Sequence, residues 1–338
     1  MMKRIAKSKL NDFIAKLMED YAVYGPVEEE GIVSFRRIAA PEEMKLDYQN
    51  SKKPPKEVFF PQTETMFRYE KGRGRIRLES TEEVEEERVL FGARPCDVRA
   101  LGLFDFVFDA PDYKDLYYVN KRGKTTIVAL GCNSPLSTCF CTSFGGGPFS
   151  KEGADLFLTD IGDWYLAEAL TSKGQRLLDE ELFQEATRAD MRAAAKVEKK
   201  ALARMAPPLE LDGLKEKLDT MIDSPFWDRL HERCLGCGVC TFLCPTCHCF
   251  DIVDEALDSR GERVRNWDSC MFPLYTLEAS GHNPRPSGRE RWRQRLMHKF
   301  DYFVANYGQS LCTGCGRCVI DCPVNLDIRK VIADVMAS

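Results

Sequence analysis

The sequence has no apolar run long enough to cross a bilayer, so we expect no membrane span. It also lacks the apolar core of a secretory signal, because Lys7, Lys9 and Asp12 interrupt the segment where one would lie. We therefore expect a soluble, cytoplasmic protein. An excess of positive charge is missing too, since 48 Lys and Arg against 53 Asp and Glu leave a net charge of −5. This balance argues against nucleic-acid binding and favours protein partners.

Nucleotide-binding motifs are also missing. No G-x-G-x-x-G sequence follows a predicted strand, the glycines at 145–147 lack the spacing of that motif, and no Walker sequence occurs. Nucleotide chemistry is therefore not expected on this chain. What the sequence has in abundance is cysteine, with 15 residues among 338. In a cytosolic chain of this length, cysteines indicate metal ligands rather than disulfides.

Eight of the cysteines form two runs with the same spacing, C-x2-C-x2-C-x3-C-P. Proteins with two [4Fe–4S] clusters use this spacing, and the fourth cysteine of each run ligates the other cluster. Structural zinc is the alternative, but it normally uses two separated ligand pairs. The sequence therefore predicts one cluster on Cys234, Cys237, Cys240 and Cys322, and a second on Cys312, Cys315, Cys318 and Cys244.

A second constellation lies in the first half of the chain and comprises Cys96, Cys132, Cys139 and Cys141. Cys96 follows a predicted strand at Val89–Ala93 and begins a predicted helix, whose N-terminal dipole favours a thiolate or an anionic cluster. Cys132 follows a predicted strand at Thr125–Leu130, so the two thiols can meet at one sheet edge. The alternative is four buried apolar cysteines, and the spacing by itself leaves both interpretations open.

Three further cysteines, Cys247, Cys249 and Cys270, belong to neither pattern. They could ligate another centre, with His248 or His282 as the fourth ligand. They could equally pack beside a cluster and tune its surroundings, which is the interpretation we favour. One side of a predicted helix from 287 to 307 is basic and could complement anionic clusters or an acidic partner, or could be a solvated charged face. Its basic residues are Arg289, Arg291, Arg293, Arg295 and Lys299.

The predicted fold class is α+β, with two domains. Residues 1–209 form an α+β domain with the third cluster, and residues 210–338 form an α-helical ferredoxin domain with two clusters. The chain pattern also predicts a surface loop at Tyr48–Phe60. The remaining predicted elements are helices at 8–19 with Ser8 as N-cap, at 97–104, from 172, at 185–205, at 250–257 and at 326–336, and a strand at 155–159.

Four stretches carry a resemblance to a known family, and they are Arg94–Asp97, Cys139–Cys141, Cys244–Cys249 and Trp267–Cys270. On these the chain resembles the β subunit of sulfhydrogenases and the dicluster electron-transfer subunit of anaerobic sulfite reductases, over nearly its whole length. The resemblance implies a shared electron-relay module. It also implies a flavin-containing partner of the NAD(P)H type, a terminal reductase or hydrogenase partner, and a third cluster on Cys96, Cys132, Cys139 and Cys141.

The leading hypothesis is therefore a non-catalytic iron–sulfur subunit that relays electrons between those two partners. The competing hypothesis is an enzyme in its own right, with substrate at an irregular cluster that has an open iron or at Cys247, Cys249 and Cys270. A third hypothesis is a structural iron–sulfur protein without electron traffic.

Overall fold

The computed structural model describes residues 2–178 and 181–338, in which helices and strands are mixed as the predicted α+β class requires. The strands are β1 (Met2–Ala6), β2 (Ala22–Glu29), β3 (Ile32–Arg37), β4 (Thr63–Gly72), β5 (Arg75–Ser80), β6 (Arg88–Ala93), β7 (Thr125–Leu130), β8 (Leu156–Asp160), β9 (Trp164–Ala169), β10 (Gln184–Glu185), β11 (Phe250–Leu257) and β12 (Arg260–Trp267).

The α-helices are mostly short and concentrate in the second half of the chain. They are α1 (Leu10–Asp20), α2 (Pro95–Phe108), α3 (Leu116–Lys124), α4 (Ser172–Arg176), α5 (Arg188–Leu202), α6 (Leu214–Asp219), α7 (Phe226–His231), α8 (Val239–Phe242), α9 (Gly288–Met297), α10 (Phe303–Tyr307), α11 (Arg317–Ile320) and α12 (Ile328–Ala337). A π-helical turn at His298–Tyr302 joins α9 to α10, so the helix predicted at 287–307 is helical throughout. Short 3-10 turns occur at Lys7–Lys9, Pro41–Glu43, Pro55–Val58 and Cys141–Phe144.

The larger sheet has the strand order β10-β1-β9-β8-β7-β6-β2-β3, and its central strands β2, β6, β7 and β8 are parallel. Every residue of β6 and β7 is buried, which is why these strands appear in the sequence as continuous apolar runs. The strands predicted at 89–93, 125–130 and 155–159 are confirmed. Because parallel strands end at one sheet edge, the segments that carry Cys96 and Cys132 start side by side.

The smaller sheet has the order β11-β12-β4-β5 and contradicts one helix prediction. The segment 250–257 is a strand, not a helix, because its backbone pairs with β12 from Phe250↔Trp267 to Leu257↔Arg260. Strand β12 pairs in turn with β4, so the sheet joins residues from both sides of the predicted boundary near 210. The C-terminal part is therefore not wholly helical, and the division into two domains stays a prediction.

The other helix predictions differ from the structure mainly at their ends. Helix α1 begins at Leu10 after a 3-10 turn, and Ser8 is not its N-cap. Ser287 caps helix α9, because its side chain accepts a hydrogen bond from the Arg289 amide and the Glu290 carboxylate accepts one from the Ser287 amide. The predicted helices at 97–104, 172, 185–205 and 326–336 correspond to α2, α4, α5 and α12.

The segment Tyr48–Phe60 is not the predicted surface loop, because Ser51, Lys56 and Phe60 are buried within it. The Lys56 ammonium lies 4.1 Å from the centre of the Trp267 ring and donates to the Cys247 carbonyl oxygen at 2.7 Å. The prolines do prevent regular strand or α-helix, but the loop packs inward against the cysteine-rich segment.

The helical core of the C-terminal part encloses cysteines as well as apolar residues. Helix α12 buries one face at the spacing of an amphipathic helix, and that face packs into a cluster that includes Trp227, Trp292, Cys270 and Cys312. The buried residues of this face are Ile328, Val331, Ile332 and Val335. Among the described residues, no helix has the length and apolarity that a membrane crossing would require.

Candidate metal centres

The structure brings Cys322 of the second run together with three cysteines of the first. This first group, Cys234, Cys237, Cys240 and Cys322, lines one cavity whose other walls are largely apolar. Backbone amides point at two of its sulfurs, since Gly236 N–H donates to Cys234 Sγ at 3.3 Å and Leu326 N–H donates to Cys322 Sγ at 3.2 Å. Such N–H groups fit an anionic iron–sulfur cluster, whose potential depends on hydrogen bonds to sulfur.

The second group, Cys244, Cys312, Cys315 and Cys318, lies deeper in the molecule, and three of its members are buried. Gly314 N–H donates to Cys312 Sγ at 3.5 Å. Burial raises the pKa of Cys312 to about 12 and that of Cys318 well above the usual thiol value, and the neighbouring sulfurs of the group raise both further. Unliganded, these thiols would be neutral, whereas a bound metal deprotonates its coordinating thiols.

Two buried cations have cysteines as their main counter-charges. Lys299 donates from Nζ to Cys244 Sγ at 3.4 Å, to Thr246 Oγ1 at 3.0 Å and to the Leu311 carbonyl at 2.9 Å. Burial opposes the charged form of Lys299, but Cys244 and other cysteines keep its pKa above the usual value. Arg295 is also buried and also owes its raised pKa to cysteine sulfurs. Buried cations of this kind fit a strongly anionic group.

The third group, Cys96, Cys132, Cys139 and Cys141, lines a second cavity together with Cys315. Cys96 stands at the start of α2, and Cys132 follows β7 at the same sheet edge. Burial raises the pKa of Cys139 to about 12 and that of Cys141 to about 11, so this group too would hold thiolates only with a metal present.

The third group is in contact with the second through two loops. Phe140 N–H donates to the Gly314 carbonyl oxygen at 2.8 Å, and Cys139 Sγ donates to the Cys315 carbonyl oxygen at 3.7 Å. We call loops 138–141 and 314–317 the cluster junction. Gly314 has a left-handed backbone, and a Cβ atom there would lie 2.4 Å from the Phe140 carbonyl oxygen. Only glycine allows this approach.

Replacing Gly314 by alanine is expected to force the two loops of the cluster junction apart. We expect the overlap with Phe140 to cost about 1–3 kcal/mol of unfolding free energy, in addition to about 1–2 kcal/mol for the left-handed backbone. Anaerobic urea unfolding followed by circular dichroism measures the loss. Gly281→Ala is the matched control, because Gly281 is also left-handed but a Cβ there meets nothing within 4 Å. Equal losses in the two variants would contradict the steric argument.

A buried ion pair also crosses the junction. Arg317 Nη1 and Nη2 donate to Asp97 Oδ1 and Oδ2 at 2.6 and 2.8 Å, and neither side chain is more than 1% exposed. Arg317 Nε donates to the Ser51 carbonyl at 2.8 Å, which ties the buried loop 48–60 to the same point. Arg317 lies between Cys315 and Cys318, whereas Asp97 follows Cys96, so the pair joins two cysteine groups.

The remaining cysteines separate into two contacts rather than one site. Cys247 lies beside Cys244, and Cys249 lies beside Cys270. His248 is held among the rings of Phe104, Phe108 and His298, and burial lowers its pKa to about 4. His282 is exposed. In residues 2–178 and 181–338, no three His, Cys, Asp or Glu side chains are grouped to hold a single metal ion.

Sequence reasoning missed several residues that surround the cysteine groups. Lys56 and the Arg317–Asp97 pair carried no recognisable signal, because each depends on a contact between segments far apart in the chain. Arg295 and Lys299 did carry one, since both lie on the basic side of the predicted helix. Their burial beside cysteines supports the charge-complementing interpretation over the solvated face.

Comparisons with known proteins give a family model and a relative that match this chain. The family model described as a 4Fe-4S dicluster domain matches residues 233–326. Sulfhydrogenase 2 subunit beta from Pyrococcus furiosus is 34% identical to this chain over 328 residues, which is 96% of the chain and 95% of that protein. No solved structure matches the chain.

Proposed function

We propose that this chain, which belongs to the family of sulfhydrogenase β subunits, passes electrons through three [4Fe–4S] clusters arranged in series. The family and the dicluster domain make it an iron–sulfur electron-transfer protein of an oxidoreductase complex. The number of clusters, their ligands and their order are our proposal. When bound, each cluster supplies a site that accepts and releases one electron.

The observation that carries the proposed order is the contact between the second and third groups. Cys315 lines the cavity of the third group, and Cys318 lines the cavity of the first. The second group therefore borders both of the others. An electron that enters at the third group would reach the first through the second, or travel the reverse way.

The chain's own residues adjust the charge around this series. Amides of Gly236, Gly314 and Leu326 donate to cysteine sulfurs, and Lys299 donates to Cys244 Sγ. Each of these contacts favours the more negative, reduced state and therefore raises the reduction potential. Three of the four cysteines of the second group are buried, which keeps water away from this group.

The two ends of the series are the places where partners would exchange electrons. At one end the Cys237 side chain is exposed, so the first group lies at the protein surface. We propose that one end serves a flavin-containing subunit of the NAD(P)H type and the other a terminal reductase or hydrogenase subunit. The β-subunit relative supports assembly with other chains, and the identity of each partner rests on the resemblance.

The test is the iron content of anaerobically purified protein, which we expect to be about 12 atoms per chain from clusters with four ligands each. Cys96→Ser is expected to reduce it to about eight, because one ligand of the third cluster is lost while the C-terminal pair keeps its own. Cys270→Ser, which changes a cysteine outside the three groups, is the matched control and should retain about 12.

Electron paramagnetic resonance of the same samples separates loss of one cluster from general damage. The Cys96→Ser protein should keep the signals of two clusters. An unmodified protein with about eight iron atoms would remove the third cluster from the proposal.

A further inference from the structure

Cys249 and Cys270 belong to none of the three groups, and they lie beside each other at the open end of the β11–β12 hairpin. Cys249 immediately precedes β11, and Cys270 follows β12 by three residues. Two backbone contacts hold the ends of the hairpin together. Phe250 pairs with Trp267, and Asp268 N–H donates to the Cys249 carbonyl oxygen at 2.9 Å. The helix predicted at 250–257 would not have brought these two cysteines together, whereas the hairpin does.

The surroundings of the pair differ from those of an inert buried thiol. The pKa of Cys249 is lowered to about 6, chiefly by the Cys270 side chain, although burial opposes this shift. The Cys270 amide, the Tyr275 hydroxyl and the Lys56 ammonium lower it further. The Cys249 side chain and burial raise the pKa of Cys270. The negative charge of the pair is therefore favoured on Cys249, which is only half-buried. Reactive cysteines lie in partly exposed, electropositive surroundings of this kind.

The pair also lies next to the first cysteine group. Ser269 and Thr241 share a hydrogen bond of 2.7 Å between their hydroxyls, and these residues adjoin Cys270 and Cys240 in the chain. Met271 lines the cavity of the first group. Both chain neighbours of Cys270 therefore reach the first group: Ser269 bonds to Thr241, which follows Cys240, and Met271 lines the cavity.

We propose that Cys249 and Cys270 form a dithiol–disulfide couple that exchanges electrons with the cluster of the first group. This inference rests on the proposed function, which supplies the one-electron carriers. On oxidation a bond forms between the two sulfurs, the Cys270 S–H bond breaks, and its proton passes to water at half-buried Cys249. Two electrons leave, one after the other, to the iron–sulfur series. Reduction reverses each step, so the couple stores an electron pair beside carriers of single electrons.

The test is thiol counting by alkylation and peptide mass spectrometry on the iron-loaded protein under anaerobic conditions. After incubation with glutathione disulfide as oxidant, we expect a cross-linked peptide that joins Cys249 to Cys270, with the iron content unchanged. After addition of reduced methyl viologen, we expect both thiols to be free again. Cys247→Ser, which changes the neighbouring cysteine outside the pair, should form the same cross-link. Cys249→Ser should form none.

The electron route is tested by repeating the reduction in Cys234→Ser and Cys322→Ser proteins, each of which loses a proposed ligand of the first group. We expect the cross-link to form in both, and its reduction by viologen to be lost. Free thiols throughout in the unmodified protein, or reduction at equal rates in all three proteins, would overturn the inference. Failure of the proposed function would be seen separately, as cluster absorption that viologen does not bleach.

Discussion

Replacing Cys322 by serine is expected to remove or alter the cluster held by Cys234, Cys237 and Cys240, although Cys322 lies 82 positions beyond Cys240 in the chain. The reason is crossed ligation, in which the fourth cysteine of each run closes the other run's cluster. Cys322 lines the same cavity as those three cysteines, and Leu326 N–H donates to its sulfur at 3.2 Å. Serine offers a poorer ligand for iron, so we expect a loss of up to about four iron atoms.

Electron paramagnetic resonance of the reduced protein measures which cluster is changed. Cys322→Ser should share its altered signal with Cys234→Ser, and the signals that remain should match each other. Cys312→Ser is the control, because it removes a ligand from the other predicted cluster. If Cys322→Ser matches Cys312→Ser instead, each run closes its own cluster and the ligand assignment is wrong.

Replacing Asp97 by alanine is expected to lower the free energy of unfolding by about 3–5 kcal/mol, the usual cost of leaving one buried charge without its partner. Arg317 is 1% exposed and loses both carboxylate contacts in this variant, and the hydrogen bonds to Ser51 that it keeps are to neutral groups. Anaerobic urea unfolding followed by circular dichroism measures the loss, with the iron content determined first.

Two controls separate burial from charge pairing in general. Lys330→Ala breaks an exposed ion pair with Asp334, and pairs of that kind contribute only about 0.3–0.5 kcal/mol. The double change Asp97→Leu with Arg317→Met removes both buried charges, so it should cost less than Asp97→Ala alone. If Asp97→Ala lowers the free energy of unfolding no more than Lys330→Ala does, the Arg317–Asp97 pair does not stabilise the cluster junction.

The sequence by itself determined the features whose physical cause is local. The two cysteine runs repeat one spacing, and that spacing alone led to the proposal that Cys322 belongs with Cys234. Strands β6 and β7 were predictable because burial on both faces leaves an unbroken apolar run. The cap at Ser287 was predictable because its hydrogen bonds join residues three apart.

The tertiary structure alone decided what depends on a partner distant in the chain. Segment 250–257 is a strand because β12 satisfies its backbone groups, and β12 in turn pairs with β4 from the other half of the chain. Loop 48–60 is buried because Lys56 and Ser51 bond to the cysteine-rich segments. The contact of the second and third groups depends on the approach that Gly314 allows. In each case the stabilising contact joins residues far apart in sequence, and local sequence patterns do not predict such contacts.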